Sequence, residues 1–140
     1  WVNIDRERFN DFLSIFNNGQ FSLIKRGHNS GNNFEFAVNL NDGDTKQAVS
    51  NTVPLAGTWT HVAGTYDGST ARIYVDGNFQ RSESGGGLIA PPTQQARIGL
   101  GGIHQGPDLH HFSGLIDEFK IYNRALAKDE IRRLYESHRP

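Results

Sequence analysis

Thr60-His-Val-Ala-Gly-Thr-Tyr66, Asp67-Gly-Ser-Thr70 and Ala71-Arg-Ile-Tyr-Val75 follow one another directly, and Asp76-Gly77 comes next. Asp-Gly between two alternating segments is the strongest short-range hairpin signal, because glycine takes the positive φ that a tight turn needs. The second Asp-Gly turns the chain again, toward Phe79-Gln-Arg-Ser82. Three strands in a row, each closed by a turn signal, predict an antiparallel meander. The same grammar spreads outward. Phe34-Glu-Phe-Ala-Val-Asn-Leu40 places Phe34, Phe36, Val38 and Leu40 on one face by period two. Asn41-Asp-Gly-Asp44 turns it, and Gln47 to Asn51 returns it. Phe21 to Arg26, Ala96 to Leu100 and Phe112 to Tyr122 read as further strands, and Trp1 to Ile4 as the end of one.

The bulk numbers agree. The chain has 140 residues with 16 glycines and no cysteine or methionine. That length is one domain, residues 1–140, and buries roughly two-thirds of its unfolded surface without disulfide staples. The formal net charge is −1 with both signs scattered, so the chain carries no electrostatic footprint for nucleic acid. No apolar run is long enough to suggest a membrane span. Trp1 opens the chain already inside a strand pattern. The expectation is a module excised from a larger protein, its first strand among the parts left behind.

Two segments fit the strand grammar less simply. From Asp5 to Asn18, Phe9, Phe12, Leu13 and Phe16 recur at helical spacing, and loop and short helix both stay open. Near the end, Ile131, Leu134 and Tyr135 sit at i, i+3, i+4 with Asp129 and Glu130 before them, which predicts a C-terminal helix. Ala127 stands where a capping hydroxyl would, so the cap oxygen is missing, at about 1 kcal/mol.

The run Gly57 to Gly77 and the run Phe112-Ser-Gly-Leu-Ile-Asp-Glu-Phe-Lys-Ile-Tyr-Asn-Arg-Ala-Leu126 together resemble the laminin-G-like branch of the concanavalin A-like lectin and glucanase jelly rolls. The resemblance implies an all-β, antiparallel two-sheet jelly-roll sandwich with a short C-terminal helix. It also implies a domain that binds rather than reacts.

Candidate chemistry is sparse. Glycosidases on such sandwiches use carboxylates alternating along one strand, so that acid and nucleophile share a face about 5 Å apart. No Glu-x-Asp-x-x-Glu string occurs, and Asp117 and Glu118 are neighbours that point to opposite faces. There is no Gly-x-Ser-x-Gly elbow or phosphate loop. The expectation is no enzyme.

Leu115, Asp117, Phe119 and Ile121 share one face by period two, and three of them are apolar, so that face should point inward. A bare buried carboxylate is very costly. Either a calcium ion neutralises Asp117, as the resemblance implies, with backbone carbonyls such as that of Gly27, or a neighbouring turn donates hydrogen bonds to it. Asn41 to Asp44 reads as a solvated hairpin tip. His104, Asp108 and His110 share one loop and match no tetrahedral zinc spacing. They serve as candidate ligand contacts, with Asn33. Trp59 is expected to anchor the core, and His61 to bond a neighbouring strand. Binding loops are expected at Asn29 to Asn33, Gly85 to Thr93 and Gly101 to His110, because loops on a rigid sandwich carry recognition. The function expected is a non-catalytic recognition module of a larger extracellular or cell-surface protein. Its partner would be a glycan or, alternatively, a protein bound without any sugar site.

Overall fold

The computed structural model describes residues 1–9, 11–100 and 111–138. Eleven strands, one α-helix and a single 3-10 turn at His28–Ser30 are found among them: β1 Val2–Ile4, β2 Leu13–Asn17, β3 Phe21–Lys25, β4 Phe34–Asn39, β5 Thr45–Val49, β6 Trp59–Thr60, β7 Val62–Tyr66, β8 Thr70–Val75, β9 Asn78–Ser84, β10 Arg97–Ile98, β11 Gly114–Ile116 and α1 Lys128–Ser137. All pairings are antiparallel. The sheets run β11-β1-β6, β10-β2-β3-β4-β5 and β7-β8-β9. Only His61 separates β6 from β7, so the two small sheets continue one another and face the five-stranded sheet. Val2, Ile15, Phe34, Val38, Ile73 and Val75, drawn from all three sheets, form one buried cluster. This is the jelly-roll sandwich with its short helix.

The meander forms as its turns dictate. Val62 pairs with Val75 and Tyr66 with Ala71. Asp67 Oδ1 accepts the backbone N–H groups of Ser69 and Thr70, both at 2.9 Å, and so closes the turn with its own side chain. Asp76 and Gly77 take φ of 49° and 72°, the paired positive values of a type I′ hairpin turn. On β4, Phe34, Phe36, Val38 and Leu40 turn inward as alternation predicts, at 0–7% exposure. On its other face Glu35 and Ala37 are buried too, at 9% and 7% exposure, while Asn39 is exposed. Glu35 is buried there beside Arg26 at 3.6 Å, and burial raises its pKa against the pull of that guanidinium.

Residues 5–18 resolve the open choice in favour of a loop followed by a strand. Turns occupy the residues around Glu7 to Phe9, and β2 starts at Leu13. The helical spacing of the phenylalanines is an accident of a turn next to a bulged strand: the β2–β3 register shifts between Ser14 and Phe16.

The C-terminal helix appears where its apolar spacing placed it. Ile131 is 2% exposed and packs with Tyr74 and Leu126. Half of a capping box is made: the Ala127 N–H donates to Glu130 Oε2 at 2.8 Å, while Ala127 has no oxygen with which to return the bond.

The tryptophan expectation is corrected. Trp59 is only half-buried, and Trp1 is the core tryptophan, at 7% exposure. Val2 pairs with Thr60, so Thr60 shares the inward face with Val2 and Trp59 falls on the other. Trp1 stacks on Tyr135 of α1 at 5.4 Å and meets the edge of His61, also at 5.4 Å, which fastens the helix to the sandwich.

Candidate functional site

Two of the expected binding loops, Asn29 to Asn33 and Gly85 to Thr93, lie at opposite ends of the five-stranded sheet, and the third, Gly101 to His110, lies outside the described residues. The Arg26 N–H donates to the Asn33 carbonyl at 2.8 Å, closing the loop that leads into β4. At the far end of β4, the Ala90 N–H donates to the Asn39 carbonyl at 2.9 Å and Gln20 Nε2 to the Ala90 carbonyl at 2.8 Å. Six residues of strand separate the two loops, about 20 Å. Asn33 and the Gly85 to Thr93 loop therefore cannot share one small ligand. His104, Asp108 and His110 lie outside the described residues.

The Asn33 end is built on a buried lysine that the sequence did not single out. Lys25 is 0% exposed at the end of β3. Its Nζ donates to the Asp11 carbonyl at 3.1 Å and to Asn32 Oδ1 at 2.8 Å, and lies 4.5 Å from the centre of the Phe9 ring. Burial lowers its pKa to about 8, although the Asp11 carboxylate acts in the other direction. One ammonium thus joins the Arg6 to Phe12 loop to the His28 to Asn33 loop. A strand-end lysine reads as a surface residue, and its partners are remote in sequence, so no local pattern could have found it. The Gly27 carbonyl accepts the N–H groups of Ser30 at 2.9 Å and Asn32 at 3.2 Å, so it serves the turn it starts. The Asn33 side chain lies over Gly31, whose place a Cβ would bring within 2.5 Å of Asn33 Oδ1.

The inward reading of Asp117 is corrected. Val2 pairs with Ile116, and Ile116 packs on the core, so the inward parity is even. Leu115 is 61% exposed and Ile121 68%, and Asp117 is exposed as well. Glu118 takes φ of 50°, which breaks the alternation and brings Phe119 back against Phe16 at 5.4 Å. The Asp117 carboxylate accepts the Glu118 N–H at 2.8 Å. Its charge faces water and does not require an ion for compensation. Among the described residues no group of three or more His, Cys, Asp or Glu side chains could hold a metal. The expected result follows: Asp117→Asn in chelator stays within about 0.5 kcal/mol of wild type in thermal melting. A rise of several degrees when calcium is added to wild type, absent in the variant, would overturn this and assign an ion to the carboxylate.

A concavity lies between the two layers. It measures about 550 Å³, the size of a small-molecule pocket. Phe16, Phe36, Tyr66, Ile116, Phe119 and Tyr122 contribute to its walls. Tyr66 holds the Gly85 to Thr93 loop beside it: its hydroxyl donates to the Gly87 carbonyl at 2.9 Å and accepts the Gly87 N–H at 3.1 Å. Polar side chains such as Asn18, Gln20 and Asn123 also border it.

Fold and concavity together are those of a jelly-roll sandwich with an inter-sheet recess, and among the described residues no strand carries two carboxylates. Residues 1–132 match the family model of the concanavalin A-like lectin/glucanases superfamily, laminin G type, and the chain belongs to that family. Among curated proteins it is similar to pappalysin-1 of Homo sapiens, 35% identical over 88 residues, which is 60% of this chain and 5% of that protein. Mouse pappalysin-1 is likewise 35% identical over 80 residues, again 5% of its length. The chain thus spans a small fraction of the curated relatives it matches. Among solved structures it is similar to an S-layer domain-containing protein from Clostridium thermocellum, with 25% identity, a TM-score of 0.50, and coverage of 96% of this chain and 66% of the other. The binding domain of botulinum neurotoxin serotype D shares the fold, with a TM-score of 0.65 and 17% identity over 98% of this chain and 35% of that one.

Proposed function

We propose that the domain is a non-catalytic, carbohydrate-binding recognition module of a larger extracellular or cell-surface protein. Family membership over residues 1–132 carries the reading. The missing carboxylate string supports binding over hydrolysis, since retaining and inverting glycosidases alike need two positioned carboxyl groups. The comparison proteins support the setting: one bears an S-layer domain, and another is described as a binding domain. At the Asn33 end, Asn29 and Asn33 supply amide donors and acceptors on a loop that Lys25 holds in place. Such a loop is preorganised, which lowers the ordering cost of binding.

A glycan array probed with the 140-residue domain, with and without chelator, tests this. The expected result is saturable binding to a limited set of glycans, weakened about tenfold or more when Asn29 and Asn33 are both changed to alanine. Signal that no competing free sugar displaces, or none on any glycan, would overturn the sugar reading. Binding in calcium that chelator abolishes would add the ion as a cofactor, the second proposal that the family resemblance supplies. Turnover of a β-glucan, abolished by changing one Asp or Glu, would overturn the non-catalytic reading.

A further inference from the structure

A buried charge is ordinarily matched by an opposite charge. Lys25, at 0% exposure, is matched differently. Among the described residues no carboxylate pairs with it, and the carboxylate of Asp11 is turned to Arg8 at 2.6 Å. The ammonium meets neutral groups instead. The Asp11 carbonyl accepts from it at 3.1 Å and Asn32 Oδ1 at 2.8 Å, and the Phe9 ring centre lies 4.5 Å away. Carbonyl and amide oxygens converging on one positive charge are the ligand set that a hard metal ion collects. The ring face adds the attraction of its quadrupole. A side chain of the same length without the charge has neither pull.

These groups come from two loops remote in sequence. The Asp11 carbonyl and Asn32 Oδ1 share one nitrogen, so they lie within about 6 Å of each other. Asn32 takes φ of 59° and donates its N–H to the Gly27 carbonyl at 3.2 Å. A residue other than glycine keeps a left-handed conformation where its surroundings fix it, and Lys25 holds the side chain of this one. Asn33 follows directly, with its carbonyl on the Arg26 N–H at 2.8 Å. The Asn29 to Asn33 loop is thus fixed by a ladder bond and by an ammonium. On the other loop, the Asp11 N–H donates to the Arg8 carbonyl at 3.0 Å, a turn that brings the exposed Arg8–Asp11 pair to the same end of the sheet.

We propose that Lys25 is the resident cation of the Asn33 end: its charge gathers neutral oxygens from both loops, assembles them into one recognition surface, and makes the order of that surface independent of divalent metal. The use of the surface rests on the sugar reading proposed above, whereas the order of the loops does not. An ion that the glycan assay adds would then act on the ligand and not on these loops.

Amide hydrogen exchange on the domain, with no ligand present, separates this from the sugar reading. The reporters are the N–H groups of Asp11 and Asn32, one on each loop, with that of Ile73 in the central strand β8 as the reference for the core. In wild type, neither excess calcium nor chelator should change the loop rates. Lys25→Met keeps the bulk of the stem and drops the charge. It should speed exchange about tenfold or more at Asp11 and Asn32 together and leave Ile73 unchanged. Lys25→Ala should do the same, and n-propylammonium, which replaces the atoms that change removes, should slow both loops again where n-propanol does not. Loop rates in Lys25→Met within about twofold of wild type would overturn the proposal, since packing of the stem would then join the loops. Rescue by n-propanol as good as that by n-propylammonium overturns it in the same way. Faster wild-type loop exchange in chelator overturns it by assigning the order to a metal ion. A rise at Ile73 in step with the loops overturns it by making Lys25 a support of the whole fold.

Discussion

Replacing Gly64 by valine is expected to lower stability by about 3 kcal/mol, seen as a melting temperature roughly 10 °C below wild type. Gly64 sits in the middle of β7, paired with the fully buried Ile73. Glycine weakens a strand interior, so its presence there calls for a steric cause. A Cβ built on Gly64 would lie 2.2 Å from Cγ and Cδ2 of Phe36, which belongs to the opposite sheet. Phe36 is 7% exposed and stacked on Phe21 at 6.2 Å, so displacing its ring breaks that stack. The ring of one layer rests on the bare backbone of the other. Phe36→Leu alone should also destabilise, by leaving space over the glycine. Combined with Gly64→Val, it should cost at least about 1 kcal/mol less than the sum of the single changes, because the new side chain fills the space the ring left. Strict additivity in that cycle would show that the two layers do not touch at this point.

This contact shows which parts of the fold were legible in the chain. The Asp67-Gly68 and Asp76-Gly77 turns were readable because their chemistry is local: an aspartate oxygen caps its own turn, and glycine supplies positive φ. The inward face of β4 was readable because four large apolar residues alternate without interruption. The face of β11 was not. Leu115, Phe119 and Ile121 outvote Ile116 by count, yet pairing with Val2 selects Ile116, and the positive φ of Glu118 lets Phe119 join the core from the opposite parity. Register is a property of two strands 110 or more residues apart, and a one-residue slip moves every side chain to the other face. The same partner strand decided between Trp59 and Trp1. At the candidate site, Asn33 and Asp117 were named from type and position, but the residue that organises the Asn33 loop, Lys25, draws its meaning from Asp11 and Asn32 and is visible only after folding.

Acid should loosen the attachment of α1 through His61. The imidazole is 8% exposed, packed between Trp1 at 5.4 Å and Tyr135 at 6.1 Å, and its Nδ1 has no hydrogen-bond partner. Burial lowers its pKa to about 4, with the positive charges of the terminal amine and Lys120 adding to the effect. The folded state therefore holds this ring neutral where an unfolded chain would protonate it near 6.5. The sign follows from linkage: below pH 6.5 the unfolded state binds more protons, so stability falls as pH falls. The loss runs from about pH 6.5 down to about 4, then levels, and totals about 3 kcal/mol. Other carboxylates titrate in the same range, so the reading is the difference between wild type and His61→Phe, which keeps an aromatic ring between Trp1 and Tyr135. The backbone N–H of His61, which donates to Asp76 Oδ1 at 2.9 Å, survives that change. Wild type minus variant should be flat above pH 7 and decline steadily through pH 5. Chemical denaturation at each pH, with Trp1 fluorescence reporting the helix contact, measures it. A difference that stays constant from pH 7 to pH 4 would mean that the ring is solvated in the folded protein and that acid does not loosen α1 through it.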